Sequence, residues 1–182
     1  INILDTDRKE QAKVNSEQEV QTAVDYIAQD LQQAIYIYDA EGINAIKNQL
    51  PYKRDKDKVP VLVFWTRRFV EDAIDVTVNK SSVGSNDKFV YSLVAYYLIE
   101  SNNQNNKDKT WSNQFRIARF ELKDGIRDLE QPFKRSESDG TPKPNYIKEP
   151  DDGFALFKLN DPKVRGTLEQ KMNQWQKGSK PY

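Results

Sequence analysis

The chain has 182 residues, with 28 Lys and Arg balanced by 28 Asp and Glu, no His and no Cys. Balanced charge argues against the clustered cations that nucleic-acid binding requires. The missing His and Cys remove the commonest general base, thiolate nucleophiles, structural zinc and disulfides. Three Trp, nine Tyr and eight Phe supply large apolar bodies for a core, and the length suits one domain spanning residues 1–182.

The sequence opens on Ile1-Asn2-Ile3-Leu4 rather than Met, which leads to the expectation that a signal peptide or membrane anchor precedes it. Residues 5–38 contain no Pro or Gly, and Val20, Ala23, Val24, Ile27, Ala28, Leu31, Ala34, Ile35 and Tyr38 recur at three- and four-residue steps. This predicts one amphipathic helix over about 5–38, with Ser16 in its middle. Asp25, Gln29, Asp30, Gln32 and Gln33 fall between the apolar positions and are expected to face water. Residues 5–19 are almost wholly polar, so only the second half can pack on a globular part, and the first half projects or meets a partner. Gly42 reads as the stop, with Ile43, Ala45, Ile46 and Leu50 in a further short turn before Pro51.

Residues 59–65 form a continuous run rich in β-branched and aromatic side chains and predict a buried strand. Residues 87–99 predict a second strand, with Phe89, Tyr91, Leu93, Ala95, Tyr97 and Ile99 on one face and Val90, Val94, Tyr96 and Leu98 on the other. Apolar residues on both faces place it centrally. Residues 102–108 are turn-rich, and 111–122 predict a third strand in an antiparallel hairpin with the second. Its alternation slips between Ile117 and Ala118, which suggests a bulge or a two-sided strand. Residues 123–152, with four Pro, read as a long irregular excursion, and 153–159 as a short edge strand. Asp161-Pro162 is expected to open a helix over about 161–176, with Val164, Leu168, Met172 and Trp175 on one face.

Catalytic chemistry finds little support. Glu71, Asp72, Asp75, Asp151 and Asp152 are the best carboxylates for glycan hydrolysis, but solvated surface charge explains each more simply. Calcium is the one metal that hard oxygen ligands without His or Cys would hold. The polar loops at Asn86-Asp87, Asn105 to Asp108 and Asp151 to Gly153 lack the spacing of a calcium loop, so no cofactor is expected. Trp111, Tyr96 and Tyr97 would stack on sugars if exposed, but their apolar surroundings favour the core. Lys53, Arg54, Lys56 and Lys58 form a basic cluster diluted by Asp55 and Asp57, which reads as a solvated loop.

The string from Glu19 to Ala34, closing on Asp30-Leu31-Gln32-Gln33-Ala34, resembles the helix of J-type minor pseudopilins, where Asp-Leu-x-x-Ala ends the helix. Residues 60–65 (PVLVFW), 89–98 (FVYSLVAYYL) and 117–120 (IARF) are similar to the cyanobacterial hormogonium polysaccharide secretion pseudopilin. This resemblance to type IV pilin-like proteins covers most of residues 15–175. The family's leader and apolar first helical half have no match in residues 1–14, so the native membrane-anchoring helix is expected upstream.

The resemblance implies an α+β, pilin-like fold: a long N-terminal helix packed on a small antiparallel β-sheet within residues 59–160, and a short C-terminal helix. It implies a non-enzymatic subunit anchored in the inner membrane with its globular part in the periplasm. Such a subunit joins other pilins or pseudopilins, through an inner-membrane assembly platform, in a pilus or pseudopilus that supports polysaccharide secretion and gliding motility. The packing surface implied is the polar proximal helix: Asp7, Arg8, Glu10, Lys13, Glu17 and Gln21. The alternative is a minor pilin adhesin or carbohydrate-binding module at the cell surface, in contact with exopolysaccharide. A carboxylate-based glycan enzyme and a cytosolic interaction domain rank lower.

Overall fold

The computed structural model describes residues 3–78, 81–100 and 115–182, with side chains described outside 3–5, 72–78 and 81–87. The chain forms two compact units, Ile1–Ala34 and Ile35–Tyr182. The first unit is a helix, α1 (Ile3–Leu31). Residues 6–22 are exposed throughout. Of the apolar stripe, Ala23, Ile27 and Leu31 are half-buried while Val20 and Val24 stay exposed. Asp30, expected in water, is buried, and its side chain is engaged in a polar interaction, as a buried carboxylate must be.

The helix ends at Leu31 rather than at residue 38. Gln33 N–H closes the last turn onto Asp30 O at 3.3 Å, and Ala34–Ile37 leaves as strand β1. In β1 the β-branched Ile35 and Ile37 alternate with Tyr36, whose ring meets Tyr38 edge-on at 4.9 Å.

A second helix, α2 (Ala40–Ile46), and a 3-10 turn (Lys47–Gln49) follow β1. Asp39 caps α2 by accepting from Gly42 N–H at 2.7 Å. Gly42 therefore lies in the first turn of a new helix and is not the stop of the preceding one.

The sheet has four strands in the order β1-β2-β3-β4, with β2 Lys58–Val78, β3 Ser81–Glu100 and β4 Phe115–Lys123. With its flanking helices it belongs to the α+β class. Strand β3 is interior, and its two faces are buried as predicted: Leu93, Ala95 and Tyr97 on one, Val90, Val94 and Tyr96 on the other. Strands β2 and β3 run far beyond the predicted spans as one antiparallel ribbon, from Lys58↔Ile99 to Val78↔Ser81. The β3–β4 register is unbroken from Ser92↔Lys123 to Glu100↔Phe115. The slip at Ile117 is therefore no bulge. It marks a two-sided strand, with Ala118, Phe120 and Leu122 turned to the core and Phe115 and Ile117 exposed. The turn at 102–108 and residues 111–114 lie outside the described residues.

The main core covers the first face of the sheet and is organised around Trp65. Its indole meets Phe157, Trp175 and Phe154 edge-on at 5.1, 5.8 and 6.1 Å, arrangements that add to the area buried. The buried polar tips of Tyr38, Trp65 and Trp175 all find partners. Trp65 Nε1–H donates to Tyr38 Oη (3.2 Å), which donates to Met172 O (3.1 Å), and Trp175 Nε1–H donates to Ala155 O (2.7 Å). Burial pushes the Tyr38 phenol well above its ordinary value, so it remains a donor.

Residues 123–152 are more ordered than the Pro content suggests. They form two small antiparallel pairs, β5 (Ile126–Arg127) with β8 (Tyr146–Lys148) and β6 (Phe133–Arg135) with β7 (Pro142–Pro144). In a two-stranded pair each strand is an edge, where Pro is tolerated. Residues 153–159 are not a strand. Phe154 N–H turns back onto Asp151 O (2.9 Å), and the segment lays Phe154 and Phe157 against Trp65.

The C-terminal helix shrinks to α3 (Leu168–Met172), with a capping box between Thr167 and Gln170. Asp161 caps only a local turn, and Gly166 at φ +113° breaks any helix running from it. Met172 and Trp175 are buried, whereas Leu168 is exposed.

Candidate assembly surface

The six residues singled out on the proximal helix are all exposed on α1. At about 100° per residue, Asp7, Glu10, Lys13, Glu17 and Gln21 share an arc of roughly 120°, and Arg8 falls about 100° outside it. The helix thus brings five of the six together. Charge is mixed around this stretch: Asp7, Glu10 and Glu17 lie within about 80° of one another with Lys13 about 40° from Glu17, and Arg8 and Lys9 share the opposite side with Glu19. Lys13 Nζ sits 4.0 Å from Glu17 Oε1 with both side chains well exposed, a pair contributing only about 0.3–0.5 kcal/mol. Gln21 Nε2 donates to Asp25 Oδ1 at 2.8 Å. Neither contact binds these side chains strongly, so they remain available to a partner.

The other sequence candidates are dispersed or occupied. Glu71 is exposed, and the side chains of Asp72 and Asp75 lie outside the described set. Asp151 Oδ2 accepts from Lys123 N–H at 2.7 Å and Asp152 pairs with Lys180 at 3.4 Å, so both carboxylates have structural partners. Among the described residues no group of three His, Cys, Asp or Glu is placed to hold a metal ion. The side chains of Asn86 and Asp87, the loop 105–108 and Trp111 lie outside the described residues. Tyr96 and Tyr97 are buried, which removes them as sugar platforms. In the basic loop Lys58 pairs with Asp55 (2.9 Å) and stands over the Tyr52 ring (4.1 Å), while Lys53, Arg54 and Lys56 are exposed.

One constellation escapes sequence reading. Glu121 on β4 accepts from Arg119 Nη1 (2.8 Å) and from Arg68 Nε (3.1 Å), with Lys123 Nζ at 3.8 Å. Burial pushes its carboxyl upward, but the Arg119 hydrogen bond and the charges of Arg119, Arg68 and Lys123 outweigh that and hold it below the usual range. The alternation Arg119-Glu121-Lys123 puts three charges on one face of a strand, and this is the signal that could have located it. Arg68 comes from β2, two strands away: it stands opposite Val90 on β3 while Glu121 stands opposite Val94, so its side chain reaches across β3 on the same face.

Among the described residues no helix is long and apolar enough to cross a membrane. Comparison with protein-family models, curated proteins and solved structures finds no match to this chain.

Proposed function

We propose that the chain is the globular part and distal helix of a pilin-like filament subunit, a minor pseudopilin or minor pilin that acts by assembly rather than catalysis. The observation that carries this reading is α1. A 29-residue helix, about 43 Å long, exposes every residue from 6 to 22 and then leads into an antiparallel sheet. An isolated polar helical stretch gains nothing from a core and is marginal in water, so a partner surface is the physical reason to extend it.

The exposed charges suggest the contacts: Asp7, Glu10, Lys13 and Glu17 put both signs on one arc of the helix, where they can pair with complementary charges of identical neighbours. Heterologous contacts of this kind generate a filament where the rotation does not close. Screened charge pairs set register and orientation more than affinity. An upstream apolar helix would anchor the subunit in the inner membrane before extraction, with the globular part in the periplasm. Polysaccharide export and gliding motility are the processes such a filament would serve.

Mass spectrometry of the mature N-terminal peptide from native membranes tests the assignment. An N-methylated apolar residue opening an apolar helix is expected. A conventional signal-peptidase terminus, or a Met immediately before Ile1, overturns it. Reversing both Arg8 and Lys13 to Glu should reduce incorporation into filaments, and unchanged incorporation would remove the proximal-helix charges from the assembly.

A further inference from the structure

We infer that a cleft between the segment 156–164 and α3 binds the carboxylate end of a uronate, an acidic sugar unit, independently of the filament reading. The cleft holds a cavity of about 110 Å³. Its walls are fixed by three hydrogen bonds that tie the turns before α3 to the helix and the residues after it. Lys171 Nζ donates to Leu159 O (2.6 Å), Gln174 Nε2 to Arg165 O (2.9 Å) and Trp175 Nε1–H to Ala155 O (2.7 Å). Walls already held in this way need little further ordering when a ligand enters.

The charge on the lining selects an anion. Lys171 is half-buried, and of the three N–H donors of its ammonium the Leu159 carbonyl takes one. Neither Lys171 nor Lys158, which also lines the cavity, has a carboxylate in ion-pair range among the described residues. A positive charge drawn partly out of water beside a neutral acceptor gains from an anion, through short charge-assisted hydrogen bonds. Two ammoniums against the carboxylate of Asp161 leave the described lining at a net charge of +1. That suits a monoanion such as a carboxylate better than a phosphate group, which carries about −1.5 to −2.

The rest of the wall suits a hydroxylated ring. Asp161 Oδ1 accepts from Lys163 N–H (2.9 Å), which leaves Oδ2 as an acceptor. Gln174 spends its amide nitrogen on Arg165 O and Gln170 O and keeps Oε1 to accept from a hydroxyl. Leu156, Val164 and Trp175 supply the apolar part of the wall. Acceptors for hydroxyls, apolar surface for C–H groups and two ammoniums for one carboxylate are the complement of a pyranose bearing a carboxyl group. A closed cavity of about 150 Å³ holds one benzene, so this smaller one takes the carboxylate and its carbon and leaves the sugar ring at the mouth.

Backbone and indole amide NMR of the 182-residue chain tests this, by titration with sodium glucuronate, glucose, sodium lactate and sodium phosphate at matched ionic strength. Glucuronate should shift the resonances of residues 156–176, the Trp175 indole among them, and saturate with a Kd of about 1 mM, as expected for a dozen or so ligand atoms at an open site. Glucose, which lacks the carboxylate, should bind roughly tenfold more weakly. Lactate carries a carboxylate and its neighbouring hydroxyl without the ring, so lactate binding tighter than glucuronate would give the site to a free hydroxy acid and overturn the sugar. Lys171→Gln keeps a donor for Leu159 O and should weaken glucuronate roughly tenfold, while Lys56→Gln in the exposed loop before β2 should leave it unchanged. Asp161→Asn keeps the acceptor for Lys163 N–H and removes the opposing charge, so it should tighten glucuronate several-fold, a gain that a damaged fold cannot mimic. A response to glucose or phosphate equal to that of glucuronate, no shift within 156–176, or unchanged affinity in both Lys171→Gln and Asp161→Asn overturns the assignment.

Discussion

Replacing Glu121 by Gln removes the carboxylate that joins Arg68 and Arg119 across the sheet. The Glu121 side chain is 13% exposed and the two guanidinium groups 24% and 21%, so solvent screens the loss only partly. Removing one partner of a buried pair costs about 3–5 kcal/mol. Arg68 and Arg119 each keep a further interaction and Gln retains an acceptor, which brings the expectation down to about 2 kcal/mol. For a chain of this length that is a fall in Tm of roughly 4–8 °C at neutral pH, read by calorimetry or circular dichroism. Lys123→Met serves as the control. That ammonium is 54% exposed and 3.8 Å away, so its removal should change stability by no more than about 0.5 kcal/mol. The carboxyl titrates below its ordinary value in the folded chain, so its contribution is complete above the unfolded-state pKa and is lost as pH falls through the folded-state pKa. Wild type and Glu121→Gln should therefore converge in Tm toward the acid end. A variant within about 1 °C of wild type at neutral pH, or a gap that persists unchanged into acid, would refute the account of the hub.

Three further substitutions probe separate parts of the second unit. Tyr38→Phe deletes the hydroxyl between Trp65 and Met172 and leaves the indole N–H unpaired, so urea unfolding should show a loss of about 1–3 kcal/mol; a neutral result would mean the indole finds another acceptor. Thr167→Ala removes one half of the α3 capping box at a cost of about 1 kcal/mol, with a Tm shift of about 2–4 °C as the readout and an unchanged Tm as the contrary result. Gly125→Ala would place a Cβ 2.5 Å from Lys148 O and 2.7 Å from Pro150 N, both backbone atoms. It should loosen the β5–β8 pair and speed amide exchange at Ile126, and protection equal to wild type would show that the backbone yields cheaply.

Strands whose apolar character is continuous were legible from sequence: residues 59–65, 87–99 and the part of 111–122 that is described all fall within observed strands. The end of α1 was not. Residues 34–38, Ala-Ile-Tyr-Ile-Tyr, are apolar at every position, so helical and strand periods fit them equally well. The tertiary register decides, with Tyr38 N–H paired to Val63 O. Strand β2 beyond Trp65 was hidden because Thr66, Arg67 and Arg68 interrupt the apolar run, while the ladder to β3 continues through them. The proximal charges on α1 were legible as an exposed face, since periodicity alone separates a polar half from an apolar one. The Glu121 hub was legible only in its local half: Arg119, Glu121 and Lys123 alternate along one strand, whereas Arg68, two strands away, has no local sequence signature.

The aromatic cluster around Trp65 also constrains the order of events during synthesis. Its partners Phe154, Phe157 and Trp175 lie about 90 to 110 positions later in the chain. At about 5–20 residues per second, a ribosome that has just added Trp65 needs roughly 5–20 s more to add Trp175. Through that interval the first face of the β2–β3 ribbon can form its ladder but not its cover. A nascent chain in this state presents the apolar side chains of Val63, Trp65, Leu93 and Tyr97 to its surroundings, as a substrate for holding chaperones until the C-terminal segment arrives.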